Sequence, residues 1–442
     1  MHSHRPNEDQ LKKIIQAFAM APVDNPDNVP GISLHIDAGS QGGGNCINES
    51  TANQQLGTTV AKVYLWSEFD ALKTDHFTKV GNPSRGRRAV YHYAIFAHEL
   101  GGAKQDKNGV ARAALLNTIL GVEGSDFIVA DQRIRDDCAL SPYRTCAVEK
   151  QGYTLMHELG HNLGLRHGGG EDVNEKPNYL SVMNYRFGFG VLKQGSRGVL
   201  RVADYSRFDS STIPSLKETS LNETRGLDLL VSLPYLTQWH CGGKVHAPGP
   251  VNGPLDWNCN GALDGIVEYD VNGDGAQDDL DTQNDWVQLV FKGGSIGDFA
   301  GSVVLPSETP IDGSLQELSE SERKAIPQVI GIVVRPNGEG VVNCAQRAGM
   351  LTIGIPTLHV QRGEDYDFDA TMLSGSSAVL SPGGAREAHS RGHREDFDGD
   401  GDIDLVLHFD LRDMALACSV ASVELRIADT GGQQYVGVGH IR

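Results

Sequence analysis

Three histidines and one glutamate fall close together in residues 154–169, TLMHELGHNLGLRHGG. His157 and His161 are four residues apart, which on an α-helix places both imidazoles on one face, close enough to bind one zinc ion. Glu158 follows the first histidine, where it can reach a water on that metal and act as a general base. We therefore predict a helix that carries a catalytic metal site.

A glycine and a third histidine extend the pattern. Gly164 can adopt the left-handed conformation that ends a helix and turns the chain. The turn would bring His167 back to the metal as a third ligand. Three protein ligands and one water make the open arrangement of a catalytic zinc site, whereas a structural site closes all four positions.

A second His-Glu-Leu sequence, residues 98–100, lacks these features. The pattern needs a histidine at position 102, where the chain has Gly102. The preceding residues favour a strand, in which the side chains of His98 and Glu99 would point to opposite faces. We expect His98 to line a cleft or to serve a structural role.

The extended pattern resembles that of the metzincin clan of zinc endopeptidases, whose HExxHxxGxxH motif is followed by a Met-turn. Residues 181–185, SVMNY, fit that turn. The resemblance implies that Met183 forms a hydrophobic base beneath the zinc. It also implies that Tyr185 binds the metal or donates to the oxyanion, although an ordinary core position stays open for this residue.

The resemblance covers roughly residues 1–205 and implies an α+β catalytic domain, a twisted mixed sheet with the active-site helix. It also implies an edge strand that holds the substrate by β-pairing, in the region of residues 88–114. Two departures stand out. The first predicted helix opens almost at Met1, whereas metzincins begin with a strand, and no propeptide is recognisable.

Hydrophobic periodicity places the other elements. Residues 7–20 predict an amphipathic helix, and residues 31–39, 62–69, 88–99 and 124–134 predict strands. Residues 206–335 form an irregular extension, with a helical piece at residues 221–233 and a linker at 333–340. Residues 341–442 alternate in short segments and predict an all-β accessory domain, a small sandwich.

Two acidic segments predict calcium sites. Residues 270–281 have the spacing of an EF-hand loop, with oxygen ligands at Asp270, Asn272, Asp274, Asp278 and Asp281. An acidic turn without metal is the alternative. Residues 396–405 repeat the alternation and resemble calcium loops of β-domains in secreted bacterial proteins; their candidate ligands are Asp396, Asp398, Asp400, Asp402 and Asp404.

Seven cysteines allow three disulfides. We expect Cys138 to pair with Cys146, Cys241 with Cys259, and Cys344 with Cys418, which leaves Cys46 as a free or intermolecular thiol. Paired cysteines favour an oxidising compartment. We therefore expect a secreted protein whose export segment is absent from this chain.

The net charge of −19 disfavours nucleic-acid partners, and no apolar run has membrane-spanning length. We expect a monomer that acts on a protein or peptide substrate, with Zn²⁺ as catalytic and Ca²⁺ as structural cofactor. Glu171, Asp172 and Glu175 would favour basic substrates or simply form a solvated loop. Two alternatives stay open, a calcium-dependent adhesion protein with an inactive protease domain and a zinc hydrolase that does not cleave peptides.

Overall fold

The computed structural model describes residues 4–26, 28–38, 46–47, 62–63, 66–78, 91–100, 106–111, 126–195, 199–229, 233–289, 320–335, 342, 348–362, 364, 366–416, 420 and 422–441. Within these residues the chain combines helices and strands in several small sheets. No helix in this described part is both long and apolar enough to cross a membrane.

The first part of the chain places a three-stranded sheet against the longest described helix. Its helices are α1 (Glu8–Ala19), α2 (Trp66–Lys73), α3 (Asp131–Cys138) and α4 (Cys146–Asn162). Its strands are β1 (Lys62–Val63), β2 (Tyr93–Ala97), β3 (Glu99–Leu100), β4 (Gly109–Ala111) and β5 (Asp126–Ala130). The sheet order is β2-β5-β4, with β2 parallel and β4 antiparallel to β5.

Helix α1 confirms the prediction for residues 7–20. The Asn7 side chain caps it by accepting hydrogen bonds from the N–H groups of Asp9 and Gln10, as an N-cap residue should. Its apolar face, including Ile14 and Phe18, enters the same core as α4. The strands predicted within residues 88–99 and 124–134 are present in part, as β2 and β3 and as β5, but residues 131–134 begin helix α3 instead. Residues 88–90 and 124–125 lie outside the described residues.

Two predicted strands and the helical piece in the extension are wrong. Residues 31–38 carry no described strand ladder, because Ile32, Leu34 and Ile36 alternate to pack on the core beside α1 without pairing with another strand. In residues 62–69 only β1 is a strand, and α2 begins at Trp66. In residues 31–38 the alternating pattern therefore reflects the burial of one side of the segment rather than pairing in a sheet.

The segment of residues 191–289, which spans the end of the predicted catalytic domain and much of the predicted extension, consists of short two-stranded antiparallel ladders around buried tryptophans. Its strands are β6 (Val191–Gln194), β7 (Val199–Val202), β8 (Leu216–Lys217), β9 (Leu221–Asn222), β10 (Leu236–Thr237), β11 (His240–Cys241), β12 (Lys244–Val245), β13 (Gly249–Pro250), β14 (Ile266–Val267) and β15 (Asp279–Leu280), followed by helix α5 (Asp285–Gln288). Trp239 and Trp257 lie in its core. The helix expected at residues 221–233 is absent from the described residues, where β9 leads into turns.

The last part of the chain packs two sheets face to face. Its elements are α6 (Glu320–Ala325), β16 (Gln328–Val329), β17 (Val333–Val334), β18 (Met350–Ile355), β19 (Leu373–Ser381), β20 (Ala385–Arg386), β21 (His393–Glu395), β22 (Asp404–Asp410), β23 (Ser422–Asp429) and β24 (Gln434–His440). The sheet orders are β16-β24-β23-β19-β20 and β17-β18-β22-β21, and their inward residues share one core. The predicted linker is wrong at its start, because β17 pairs with β18.

This β-rich core also holds the segment that precedes α4. Tyr143 and Cys146 are buried among residues of both sheets. The Tyr143 hydroxyl donates to the backbone carbonyl of Val329, and its ring lies 4.9 Å from the ring of Phe368. The helix predicted to carry the metal ligands is therefore anchored at its first turn by the C-terminal sheets.

Asp285 fixes the turn after the third histidine to the extension. Its carboxylate is fully buried and accepts hydrogen bonds from the hydroxyls of Tyr179 (2.8 Å) and Ser181 (2.7 Å) and from the N–H of Ser206 (3.0 Å). One carboxylate thus joins three stretches of chain. Burial is the largest influence on its acidity and raises the pKa of Asp285 to about 6.

This raised pKa predicts a pH-dependent stability. Between about pH 4 and pH 6 the folded chain keeps a proton on Asp285 that the unfolded chain has lost. The contribution of this group, about 3 kcal/mol, is complete below that window and is lost as the pH rises through 6. We expect the free energy of unfolding of wild type minus that of Asp285→Asn, measured in urea, to fall across this window.

Asp209→Asn is the matched control for this measurement. Asp209 is exposed, and hydrogen bonds from Ser211 lower its pKa, so its contribution should stay constant between pH 4 and pH 6 and be lost only at lower pH. A wild-type minus Asp285→Asn difference that stays flat from pH 4 to pH 6 would contradict the raised pKa.

Candidate metal centre and active site

Helix α4 presents two of the predicted ligands with their orientation already set. Near its C-terminal end, His157 and His161 direct Nδ1 at the backbone carbonyls of Val182 and Leu165, each at 2.8 Å. A carbonyl only accepts, so Nδ1 carries the proton in both rings. The Nε2 lone pairs are then available for a metal, as second-shell hydrogen bonds arrange in metal sites.

The turn after α4 has the predicted form. Gly164 adopts a φ of +93°, and its N–H donates to the carbonyl of His161 while the N–H of Leu165 donates to that of Gly160. These two bonds form a Schellman motif, which ends the helix and reverses the chain. His167 follows the reversal and comes back beside the helix.

The three imidazoles converge on one point. The Nε2 atom of His161 lies 3.1 Å from that of His157 and 3.2 Å from that of His167. All three side chains are buried. Nitrogen ligands of a tetrahedral zinc ion, each about 2.0–2.1 Å from the metal, lie roughly 3.3 Å apart. The donor set therefore fits one small divalent cation, and the structure places the three predicted ligands together.

Met183 lies directly beneath these ligands. Its side chain is fully buried, and a Cβ added to Gly160 would overlap its sulfur. Gly160 stands between the two helical histidines, so the absence of a side chain there lets Met183 approach the helix. The position agrees with the apolar base expected for Met183. The requirement for Gly160 was missed by sequence reasoning.

Tyr185 stands beside the histidines. Its ring centroid is 4.3 Å from that of His167 and 6.0 Å from that of His157. Its N–H donates to the side chain of Asn174, and Asn184 caps the short helical turn that begins at Tyr185. The tyrosine is therefore held at the ligand group rather than in the core.

Glu158 lies against strand β4. The side chain is 1% exposed, and a Cβ at Gly109 would overlap its Oε1 atom. The Cβ direction of a strand residue points out of the plane of the sheet, so Glu158 lies against the face of the sheet at Gly109. Among the described strands of this sheet, β4 is an outer strand, because it pairs only with β5. Gly109 is a second position that sequence reasoning missed.

A cleft opens between β4, α4 and the residues after Tyr185. It is lined by His157, Glu158 and Tyr185 together with Lys150, Phe189 and Ile326. The last three were not predicted as site residues. Lys150 could have been found by helical spacing, because Lys150, Thr154 and His157 occupy one helix face. The contribution of Ile326 to the cleft could not be predicted, because this residue is distant from α4 along the chain.

The acidic residues considered as determinants of basic specificity are all paired. Glu171 accepts from the buried amine of Lys176 at 2.7 Å, and Asp172 pairs with Arg166. Glu175 lies 2.8 Å from Arg186. These carboxylates stabilise the loop after His167, and none of them lines the cleft.

The first predicted calcium loop is a series of tight turns. Asp270 accepts the N–H groups of Gly273 and Gly275, and the hydroxyl of Ser215 donates to Asp281. Within the described residues, Asp270, Asp274 and Asp278 do not form a compact group of three ligand atoms. Asn272, Asp274, Asp278 and the other candidate ligands therefore remain a prediction.

The second predicted loop is more compact. One carboxylate oxygen each of Asp396, Asp398 and Asp404 lies within 4.8 Å of the others. Asp400 and Asp402 instead face Arg362, at 3.7 and 3.1 Å. The structure thus brings together three of the five candidates and pairs two with a cation.

Two buried glutamates stabilise acidic turns of the extension from the protein interior. Glu218 is fully buried and accepts the N–H groups of Val271 (2.7 Å) and Asp278 (2.9 Å). Glu223 is also fully buried and accepts a hydrogen bond from the N–H group of Asp264. The exposed acids form a recognisable run in the sequence, whereas these two glutamates lie far from the loops along the chain and belong to no local pattern.

Two of the three expected disulfides are present. Cys138 pairs with Cys146 and Cys241 with Cys259, with Cα atoms 5.6 and 5.9 Å apart. Cys344 and Cys418 lie outside the described residues. Cys46 is exposed and free, as expected.

Other histidines lie away from the site. His98 Nδ1 is 3.2 Å from His4 Nε2, and His98 is not part of the described metal-ligand groups. His389, His393 and His408 approach one another on the C-terminal sheets, where burial and the neighbouring imidazoles lower the pKa of His408.

Comparison with known proteins found no match to any family model, curated protein or solved structure. The site must therefore be interpreted from its own geometry.

The convergence predicts one zinc equivalent bound by the three histidines. We expect His161→Gln to lose that equivalent relative to wild type, because two imidazoles hold zinc far less tightly than three. Elemental analysis after dialysis measures the zinc bound per protein chain. His98→Gln, in the other His-Glu-Leu sequence, should keep the wild-type content, and equal zinc in wild type and His161→Gln would refute the site.

Proposed function

We propose that this protein is a zinc-dependent endopeptidase. The observation that carries the proposal is the convergence of three buried imidazole Nε2 atoms beside Glu158, in a cleft bordered by a strand edge. When bound, zinc would lower the pKa of a water and polarise the scissile carbonyl. His157, His161 and His167 would hold it and leave one position for water and substrate.

The chain's own residues supply the rest of the chemistry. Glu158 takes the proton of the attacking water and later delivers it to the leaving amine. Tyr185, beside His167, donates its phenolic hydrogen to the oxygen of the tetrahedral intermediate. The edge of β4 offers backbone groups to an extended chain, which favours a peptide over a small acyl substrate.

The two alternatives are less well supported. A calcium-dependent adhesion protein would not need a complete set of three histidines, Glu158 and Tyr185 around one cleft. A zinc hydrolase for other substrates would not need a strand edge beside the general base. The two disulfides are compatible with a secreted protein, and we propose that calcium, bound by the loop of Asp396, Asp398 and Asp404, stabilises the C-terminal sheets.

Glu158→Gln provides the direct test of the mechanism. The amide keeps the shape of the side chain but cannot accept the proton, so we expect kcat to fall by 10² to 10⁴, about the usual contribution of a general base. Cleavage of a random peptide library, with and without chelator, measures activity. Zinc content should stay at the wild-type level, and undiminished cleavage by this variant would refute the proposal.

Gly109→Ala tests how the edge strand and the general base fit together. The new methyl group would displace the Glu158 carboxylate, and we expect kcat to fall at least about tenfold, since small misplacements of a reacting group are costly. Gly188→Ala is the matched control in the same cleft, because a Cβ there meets its nearest atom, the Tyr185 carbonyl oxygen, at an ordinary 3.5 Å. Equal activity of the two variants would contradict this placement.

A further inference from the structure

Lys150 lies in the cleft, two helical turns before His157. Seven residues on an α-helix advance the chain by about 10 Å and return to nearly the same face. Lys150, Thr154 and His157 all line the cleft. The amine therefore lies within reach of a substrate side chain next to the reacting bond.

This lysine is buried without an anionic partner. It is 6% exposed, and within the described part of the chain no carboxylate or other hydrogen-bond acceptor contacts its Nζ atom. The Nζ lies 4.5 Å from the ring centroid of Phe189. Burial lowers the pKa of the amine to about 8, which leaves most of it charged at neutral pH. A buried charge that is not paired is costly unless a ligand completes the site.

The nearest acids are engaged elsewhere. Asp137 lies 2.7 Å from Arg133 and 3.0 Å from Arg323. Asp429 accepts the hydroxyl of Tyr435 and the N–H of Gly431. Neither acid lines the cleft, whose charged lining residues are Lys150, Arg323 and Glu158. Arg323 is paired with Asp137 and Glu158 is the proposed general base, so Lys150 is the cation left to receive a substrate carboxylate.

The walls around the amine are apolar. Ile326 is buried on one side, and the ring of Phe189 is half-buried on the other. A short aliphatic stem that ends in a carboxylate would match this combination of apolar wall and terminal cation. A neutral amide of the same size would leave the Lys150 cation unpaired. A site with such a cation therefore selects the carboxylate over the amide.

We infer that Lys150 forms an anion-binding subsite that selects peptides with an acidic side chain, Glu or Asp, beside the cleaved bond. The inference rests on the proposed peptidase function and names its substrate class. It replaces the expectation of basic substrates, since the acids on which that expectation depended are paired within the loop after His167.

The experiment uses the full-length, zinc-loaded protein and pairs of fluorogenic peptides that differ only by Glu or Gln. The varied residue is placed in turn on each side of the cleaved bond. At one position we expect kcat/KM for the Glu peptide to exceed that for the Gln peptide about tenfold or more, the usual effect of a hydrogen bond to a charged group. Lys150→Gln should bring this ratio to about one, because the amide cannot pair with the substrate carboxylate.

Three further variants sharpen the result. Lys150→Arg keeps the charge and should keep the preference, and it tests the subsite if Lys150→Gln fails to fold. Lys150→Glu should favour a Lys peptide. Lys193→Gln is the matched control, because the Lys193 amine also lies over an aromatic ring, 4.7 Å from that of Tyr235, but outside the cleft. A Glu-to-Gln ratio unchanged by Lys150→Gln would overturn the inference.

Peptide hydroxamates separate this inference from the proposed function. These zinc-binding peptides report occupancy of the cleft without hydrolysis, and calorimetry compares the Glu and Gln forms on the zinc-loaded protein. If wild type cleaves no peptide but binds the Glu hydroxamate more tightly in a Lys150-dependent way, the subsite stands and the peptidase proposal fails. Equal affinity of the two hydroxamates for wild type overturns the subsite.

Discussion

Two hydrogen bonds set the geometry on which the site depends, those from Nδ1 of His157 and His161 to the carbonyls of Val182 and Leu165. They fix the tautomer of each ring and direct both Nε2 lone pairs to one point. The carbonyl of Val182 belongs to the turn that carries Met183, and the carbonyl of Leu165 belongs to the turn that Gly164 makes possible. The site therefore requires both turns to be held in place, and Asp285 holds the first of them from the extension.

The sequence predicts the site well where the pattern is local. The three histidines, the left-handed Gly164, helix α1 and the two described disulfides follow from spacing, capping and turn chemistry within stretches of at most 18 residues. The contacts made by Gly109, Ile326 and Asp285 could not be predicted, because their partners are distant along the chain. Alternation at residues 31–38 misled because a segment that packs on one side has the same period as a strand.

The turns of the acidic segments also depend on residues that are distant along the chain. Their exposed aspartates are conspicuous in the sequence, but the turns also depend on Glu218 and Glu223, which are buried behind them and accept backbone N–H groups. In the C-terminal loop Asp404 has this role and accepts the N–H of Phe397. Asp404 belongs to the alternating run and was therefore found by its spacing, whereas Glu218 and Glu223 lie far from their turns in the sequence and are recognisable only by their contacts.

The anchoring of Tyr143 in the C-terminal sheets has a consequence for the order of events during synthesis. Its ring lies 6.1 Å from that of Tyr435, and Ser141 contacts the same tyrosine across a sequence separation of 294 residues. A chain emerging from the ribosome would have made the metal-binding residues long before Tyr435 exists. The first turn of α4 thus reaches its final packing only after Tyr435 has been synthesised, so the assembly of the cleft is delayed by the topology itself.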